Sequence, residues 1–320
     1  MFGRVRSRTG YSVHASMPPP VPSTTAVTRA IYLGTFAALL LVAALSVVIY
    51  RSSVREAIAQ HSTQQLAMVR TAAVGIEGEI RGLSALLRQF NSLPSVQNLD
   101  VPFLSQRIEA AFGANASGIV RYVVRIDADG RLFYWTPGGE LLANATPVAR
   151  DPGWWRWNMD RANSGRLTVD PAEWLPDAPP HLRVINTPVW RTAPSGENPV
   201  PLNDFNGTVG LAIDLSRLVE IYLGPAITEL VDDQLVVGLA AGDHGVRMGP
   251  GAQGIAPAPS DAHGHVEPQG IAILNDAGGR RIHTWSKLPA GDQEWLVGSS
   301  AQYDRVAAQI QRGAAGQLGL

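Results

Sequence analysis

Tryptophans are concentrated in one short part of the chain, between residues 149 and 174. Trp154, Trp155 and Trp157 fall within four positions, and Trp174 closes the same stretch. Large aromatic rings contribute much of the burial energy of a core, and they also screen binding pockets from water. The stretch therefore predicts that at least one of these rings lines a ligand pocket. The alternative is a purely structural role in the core.

Two further polar side chains stand where a ligand pocket is expected. Asp214 directly follows the apolar run 208–213 and precedes Ser216. Its carboxylate is predicted either to face a pocket or to cap a helix beginning at about Ser216, where negative charge is favourable. Tyr134 lies on a predicted strand, as does Tyr122, and it is predicted either to line the pocket or to pack in the core.

Patterns that indicate an enzyme are missing or stand in the wrong context. The chain has no cysteine, which excludes thiol nucleophiles and Cys-ligated metals, and it has no HExxH, P-loop or GxSxG motif. Gly249–Gly254 has the glycine spacing of a dinucleotide site, but Pro257 and Pro259 follow where a helix is required. His263 and His265 are interpreted as loop residues. We therefore predict no cofactor, no metal site and no enzyme activity.

Composition excludes several other classes of protein. The 320 residues are 45% hydrophobic and 17% charged, and the net charge is -1. These values exclude a disordered chain and a strongly basic nucleic-acid binder, so no nucleic-acid partner is expected. The length suits two domains of ordinary size. The charged fraction is below the roughly 25% usual in soluble proteins, which suggests that part of the chain is not in water.

One apolar run is long enough to cross a membrane. Residues 30–50 carry no charge, and as a helix they span roughly 30 Å. We interpret them as an uncleaved anchor; a removed signal peptide and a buried helix are the alternatives. Residues 1–29 contain Arg4, Arg6, Arg8 and Arg29 but no acidic residue, which predicts a cytoplasmic tail. The expected location is the inner (cytoplasmic) membrane, crossed once, with the bulk periplasmic or extracellular.

Residues 51–95 predict a long stalk helix. Apolar residues recur from Leu66 to Phe90 with gaps of three and four, which is typical of a coiled or closely packed helix. Pro94 is expected to end it, because the residue before a proline avoids helical geometry. Such a helix favours a membrane-tethered homodimer. The alternative is an ordinary core helix.

Beyond the stalk the chain changes to short β-rich runs in two groups. The tight turns between them predict antiparallel hairpins and a mixed α+β fold. A helix from Ser216 to about Leu223 separates the groups and is expected to stop at Gly224 and Pro225. The predicted strands are Ile119–Ile126, Arg131–Trp135, Arg183–Trp190, Thr208–Leu215, Gln234–Ala241, Ile271–Leu274, Arg281–Leu288 and Glu294–Ser300.

This order resembles the double Cache (dCache) sensor domains of bacterial transmembrane receptors. Arg150 followed by Trp154 and Trp155 is similar to the family's Arg-x-Trp-Tyr, and residues 207–216 (GTVGLAIDLS) are similar to its strand end. Residues 186–189 (NTPV) resemble the strand between them. The resemblance covers about residues 52–312. It implies a larger membrane-distal PAS-like module at 96–224, a smaller membrane-proximal one at 225–302, and a C-terminal helix at 303–320 directed toward the membrane.

The resemblance also implies roles for single residues. In amino-acid-binding members the Arg and the aromatic pair bind the ligand carboxylate, so Arg150, Trp154 and Trp155 would take an anionic end. The strand-end Asp takes the amine, which is Asp214 here. This sequence lacks the family's Tyr of a Pro-Tyr-x-Asp segment, and Trp174 is the candidate substitute. The expected ligand is an amino acid, an amine or an organic acid, and a purine-like compound remains open.

The function predicted from the sequence is small-molecule sensing outside the cytoplasm. A ligand in the distal module would bias the long helix and so pass the signal to the membrane. The alternative is a ligand-free structural or dimerisation ectodomain tethered to the membrane. We expect the chain to be the input part of a longer receptor, with any catalytic output domain beyond residue 320. A stand-alone anchored binding protein is the alternative.

Overall fold

The computed structural model describes residues 24–114, 117–148, 152–176, 178–193, 200–229, 235–241, 244–249, 267–276 and 279–317. The chain divides into two compact units, residues 1–55 and 56–320. The helices of the described part are α1 (Thr24–Asn91), α2 (Pro94–Gln97), α3 (Val101–Phe112), α4 (Pro152–Met159), α5 (Leu215–Glu229) and α6 (Tyr303–Gln317). The strands are β1 (Val120–Ile126), β2 (Arg131–Trp135), β3 (Leu141–Pro147), β4 (Thr168–Pro171), β5 (Leu182–Ala193), β6 (Val200–Asp214), β7 (Val236–Ala241), β8 (His244–Met248), β9 (Gln269–Asp276), β10 (Gly279–Ala290) and β11 (Gln293–Gln302).

The first unit contains the N-terminal part of α1. Of the helices in the described ranges, α1 is the one long and apolar enough to cross a membrane, with a mean hydropathy of 2.4 over an 18-residue window. Its large apolar side chains from Ile31 to Tyr50 are exposed. The hydroxyls of Thr35 and Ser46 donate to carbonyls four residues earlier, at 2.7 and 2.8 Å, so neither needs water. This part of α1 fits a membrane anchor.

The second unit begins with the rest of α1, and one face of this helix is buried. The predicted stalk, residues 51–95, is helical over most of its length. Helix α1 ends at Asn91, and Pro94 is the first residue of the short helix α2. Proline is favourable at the first helical position because its missing N–H has no partner there. The buried apolar positions of α1 include Val69, Ala73, Ile76, Ile80, Leu87 and Phe90.

Two antiparallel sheets follow the long helix. The first has six strands in the order β3-β2-β1-β6-β5-β4, and the second has five in the order β8-β7-β11-β10-β9. All neighbours in both sheets pair antiparallel. This confirms the α+β class with a larger sheet first. The edge strands β3, β4 and β8 were not predicted from the sequence.

The hairpin between β1 and β2 forms at the predicted Asp-Gly turn. Gly130 has a φ of 81°, which glycine adopts without strain. The Asp127 carboxylate accepts from the backbone N–H of Arg131 at 2.8 Å and from its guanidinium at 2.8 Å. These contacts close the turn and set the register of the two strands.

A buried arginine ties the first sheet to α2. The guanidinium of Arg125 is 1% exposed and donates to the carbonyls of Val96 and Thr208 at 3.3 and 3.2 Å. Burial lowers the pKa of Arg125 to about 9. Because its donors meet backbone carbonyls instead of water, the cation can lie in the core.

The predicted stop of the helix after Leu223 is wrong. Helix α5 continues through Pro225 to Glu229. Pro225 is exposed, so water can bond the carbonyl that the missing proline N–H leaves without a helical partner. The solvated side of a helix therefore tolerates this residue better than a buried side.

Three glycines on α1 provide a test of how closely the helix is packed. A Cβ at Gly75 would lie 2.6 Å from the ring of Tyr222 on α5, whereas one at Gly78 or Gly82 would meet nothing within 4 Å. We expect Gly75→Ala to lower the melting temperature of the full chain through overpacking of about 1–3 kcal/mol. Gly78→Ala should raise it, because alanine is the better helix former by about 1 kcal/mol.

The measurement is thermal unfolding of the full chain in lipid nanodiscs, followed by tryptophan fluorescence. Gly82→Ala is the second control and should behave like Gly78→Ala. If Gly75→Ala stabilises the protein as much as the two controls do, α1 and α5 are not in close contact at this point.

Candidate functional site

One face of the first sheet collects the polar and aromatic side chains that could bind a ligand. Side chains at alternate positions of a strand share a face, and cross-strand partners share it too. One row across the sheet runs through Tyr134, Val124, Gly210, Asn186 and Thr168. The next row runs through Tyr122, Ala212, Val184 and Asp170.

Aromatic rings cover this face. Trp155 from α4 is 9% exposed and belongs to the same buried cluster as Val184 and Ala212, and Tyr122, Tyr134, Trp154 and Trp174 are partly buried against that cluster. The ring centroids of Trp154 lie 5.7 Å from Trp155 and 6.3 Å from Trp174. Those of Tyr122 and Tyr134 lie 5.4 Å apart, edge to face. We call this set of five rings the aromatic cluster.

A carboxylate lies against the aromatic cluster. Oδ2 of Asp170, on β4, accepts hydrogen bonds from Nε1 of Trp154, Nδ2 of Asn186 and, at 3.1 Å, Oγ1 of Thr168. Oδ1 of Asp170 accepts no hydrogen bond from the described residues. One oxygen is therefore held by the protein while the other is left for a donor from outside.

The environment of Asp170 disfavours its charge. Burial raises the pKa of Asp170 to about 6, and the negative charge of Asp292 acts in the same direction, while the hydrogen bonds from Asn186, Trp154 and Thr168 oppose the rise. The carboxyl group thus exchanges its proton close to neutral pH. A cationic ligand group beside Oδ1 would favour the ionised form.

The second sheet contacts β4 directly beside Asp170. The backbone N–H and C=O of Val169 point away from β5, the strand that pairs with β4. Its N–H donates to Oδ1 of Asp292 at 3.0 Å, and its carbonyl accepts from Nε2 of Gln293 at 2.6 Å. Gly291, with a φ of 64°, allows this approach, because a Cβ there would lie 3.1 Å from Val169. We call the pairing of Asp292 and Gln293 with Val169 the edge clasp.

The structure brings most of the predicted site residues together. Trp154, Trp155, Trp174 and Tyr134 all belong to or pack against one cluster. Arg150 lies outside the described residues. The binding roles of these residues remain predictions, but the aromatic ones share one face of one sheet.

Asp214 has a different environment. Its Oδ1 accepts from the backbone N–H groups of Ser216 and Arg217 at 2.9 and 3.3 Å, and its Oδ2 accepts from Nε of Arg121 at 3.0 Å. Both oxygens are therefore engaged, and the carboxylate caps α5, the alternative that the sequence left open. Ligand binding by Asp214 stays a prediction without support from these contacts.

Asp170, Asn186 and Thr168 were missed as site residues. Asp170 and Thr168 lie on a four-residue edge strand that ends in Pro171, too short to show an alternating pattern. Their spacing of two, combined with the predicted strand through Asn186, was the signal that could have placed them on one face.

Replacing Asp170 by Asn tests the raised pKa. Asn keeps an oxygen acceptor but cannot ionise. Because the pKa of Asp170 is about 6 in the fold and about 3.9 when unfolded, the folded state binds the proton more tightly, so its stability contribution falls as pH rises from 4 to 6. Relative to the unmodified chain, we expect Asp170→Asn to become more stable as the pH is raised from 4.5 to 7.5, by up to about 2 kcal/mol.

Thermal unfolding of both proteins at the two pH values measures this gain. Asp129→Asn is the matched control, since the side chain of Asp129 is 75% exposed and its loss should have nearly the same effect at both pH values. A stability difference for Asp170→Asn that is equal at pH 4.5 and 7.5 contradicts the raised pKa.

Comparisons with known proteins give a fold but no sequence family. No family model and no curated protein matches the chain. Among solved structures, it is similar to the extracellular domain of rpHK1S-Z16, assigned as a histidine kinase, at 15% identity and a TM-score of 0.52, covering 78% of this chain and 97% of that one.

Two chemoreceptor domains are also similar. The ligand-binding domain of PctB from Pseudomonas aeruginosa, solved with L-Arg, is 16% identical with a TM-score of 0.43, covering 75% of this chain and 92% of that one. That of CtaA from Pseudomonas fluorescens, solved with L-isoleucine, is 16% identical with a TM-score of 0.46, covering 81% and 98%. We base the fold assignment on the extracellular domain of rpHK1S-Z16 and on the two antiparallel sheets that follow one long helix. The chain has the fold of the double Cache sensor domains.

Proposed function

We propose that this protein is a membrane-anchored receptor subunit that senses a small molecule outside the cytoplasm. The fold, the exposed apolar part of α1 and the half-engaged carboxylate on the first sheet support this function together. In the proposal, residues 1–320 act by binding and carry no catalytic group. Residues 96–224 form the distal module, which holds the ligand, and residues 225–302 form the proximal module.

The proposed orientation follows the charges that flank the anchor. The N-terminal 29 residues are arginine-rich without an acidic residue, so they remain in the cytoplasm. The sheets then lie in the periplasm or outside the cell, with one crossing of the inner membrane. With this orientation, a reporter group placed after Arg51 should be accessible from outside the cytoplasm. A reporter group placed before Arg29 should be protected from reagents added there.

The free oxygen of Asp170 is the observation that carries the proposed ligand site. A group that donates hydrogen bonds and carries positive charge satisfies Oδ1 and relieves the repulsion from Asp292. The aromatic cluster supplies apolar surface and cation–π attraction for the rest of such a ligand. We therefore propose a ligand with a primary or secondary amine, either an amine or an amino acid.

Two contacts connect the site region with the stalk helix. Nε of Arg88 on α1 donates to the carbonyl of Gly165 at 3.3 Å, and Nδ2 of Asn91 donates to the carbonyl of Pro188 on β5 at 3.0 Å. In the proposed route, β4 and β5 have two alternative positions. A ligand that binds one of these positions more tightly shifts α1 through the two hydrogen bonds. The ligand can do so only by its difference in affinity for the two positions.

A homodimer through α1 belongs to the same proposal. Val74 is 69% exposed on α1 and borders a shallow groove with Ala67, Arg70 and Thr71. Val74 lies outside the 3.5-residue repeat, whose members Val69 and Ala73 are buried within the chain, but an exposed apolar side chain beside a groove favours pairing with a second helix. The same surface also favours the second candidate function, a dimerisation ectodomain that binds no ligand.

Amine affinity is expected to depend on pH through Asp170. At pH 5 only about a tenth of a carboxyl with a pKa of about 6 is ionised, whereas at pH 7.5 nearly all of it is. Cationic ligands should therefore bind roughly tenfold more tightly at pH 7.5 than at pH 5. The measurement is titration calorimetry on the full chain in nanodiscs, with ligands found in a melting screen of L-amino acids and primary amines.

Asp170→Asn should abolish both the tight binding and its pH dependence. Glu173→Gln is the matched control, because Glu173 is an exposed carboxylate three residues away and its loss should leave affinity unchanged. If no amine or amino acid shifts the melt, or if Asp170→Asn binds as tightly as the unmodified chain, this ligand site is wrong and the dimerisation function gains support.

A further inference from the structure

A cavity lies between α1 and the edge clasp, and no residue of the aromatic cluster lines it. It has a volume of about 550 Å³ and is formed where α1, the segment before β4 and the turn between β10 and β11 come together. This volume is within the usual range for small-molecule sites, about 300–1,000 Å³. Ile80 and Leu167, 3% and 7% exposed, form its apolar floor together with Trp157 and Pro289.

The rim of this cavity carries an excess of positive charge. Arg81, Arg88 and Arg166 line it, against Glu77 and Asp292. Glu77 is already paired with Arg81, and one oxygen of Asp292 is held by the edge clasp. Within the described ranges, neither Arg88 nor Arg166 forms an ion pair. Arg88 contacts the carbonyl of Gly165 through Nε, and Arg166 contacts Oδ1 of Asn163 at 3.4 Å. The exposed guanidinium groups of Arg88 and Arg166 are thus not held in an ion pair by a described residue, although the carboxylate of Asp292 lines the same cavity.

The side chain of Ser84 points to a ligand independently of the charges. Ser84 lines the cavity and is 6% exposed, yet its hydroxyl forms no hydrogen bond with the described residues. Elsewhere on α1 the hydroxyls of Ser62 and Thr63 donate to carbonyls four residues earlier, at 2.8 and 2.9 Å. The hydroxyl of Ser84 is therefore open to the cavity and available to a hydrogen-bonding group there, whereas those of Ser62 and Thr63 are already used.

These groups lie at positions that one anion can reach. Ser84 and Arg88 are four residues apart and therefore on one face of α1, with Arg81 one turn earlier. Arg166 comes from the opposite wall, just before β4. Guanidinium groups bind carboxylates in a planar, paired geometry, and a serine hydroxyl can donate to the same group.

We propose that this cavity is a second ligand site, for a small organic carboxylate with an apolar body. The carboxylate contacts Arg88, Arg166 and Ser84, and the apolar body rests on Trp157, Ile80 and Leu167. The site is distinct from the amine site at Asp170 and does not depend on it. Because its walls come from α1, from the segment before β4 and from the turn between β10 and β11, a bound carboxylate would join the three.

Benzoate is a suitable probe, with two comparison compounds. Benzyl alcohol has a similar apolar body without the charge, and inorganic phosphate has the charge without the apolar body. We expect saturable benzoate binding to the full chain in zwitterionic lipid nanodiscs, measured by saturation-transfer NMR and calorimetry. Both comparison compounds should bind at least roughly tenfold more weakly, because each loses one half of the contacts.

Variants locate the binding. Arg166→Gln and Ser84→Ala should each weaken benzoate, the first by roughly tenfold or more and the second severalfold. Arg70→Gln removes an exposed arginine that borders a different groove, about four turns of α1 before Ser84, and should leave the affinity unchanged. Asp170→Asn should also leave it unchanged, so failure of the amine site and failure of this one are separate results. Unliganded melting curves show that each variant is folded.

Three results would overturn the proposal. Benzoate binding that does not saturate, or that resembles benzyl alcohol in affinity, shows partition into lipid or apolar surface only. Phosphate binding as tight as that of benzoate shows that the apolar floor takes no part. Benzoate binding that survives both Arg166→Gln and Ser84→Ala places the ligand elsewhere.

Discussion

The carboxylate of Asp170 is half-buried against aromatic rings, and the arrangement around it constrains most of the first sheet. Taking a carboxylate out of water is costly unless donors replace the water. Here the donors come from three different elements: Trp154 from α4, Asn186 from β5 and Thr168 from β4 itself. Moving any of these elements removes a donor from a buried charge. The network therefore fixes where α4 covers the sheet.

The same strand connects the two sheets. Thr168 and Asp170 turn toward the aromatic cluster, while the backbone of Val169 between them is held by the edge clasp. An edge strand normally exposes unpaired N–H and C=O groups that invite aggregation. In this protein the side chains of Asp292 and Gln293 satisfy them, so the open edge of one sheet becomes the attachment point of the other. In the proposed function, a shift of β4 would act on this contact.

The parts of the fold that could be predicted from the sequence are those with many buried side chains and a long pattern of apolar residues. The anchor and the stalk have strong apolar patterns, and the central strands are continuous β-rich runs, so their residues indicate them directly. Strands β3, β4 and β8 lie at sheet edges and bury fewer side chains, which leaves little periodicity to detect. Pro225 misled the prediction for α5, because a local rule for helix ends does not include the solvent exposure that lets the helix continue.

The site was predictable only in part, for a related reason. The aromatic residues were found because tryptophan is rare and was clustered in sequence, whereas Asp170 becomes notable only through Trp154 and Asn186, each 16 residues away. Asp214 had the more conspicuous position at a strand end, but a strand end followed by a helix is also where a cap is required. Its Oδ1 serves that purpose, and its Oδ2 accepts from Arg121. A carboxylate that completes its hydrogen bonds locally stabilises the fold. One that keeps an oxygen free, at a cost in desolvation, is the better candidate for binding.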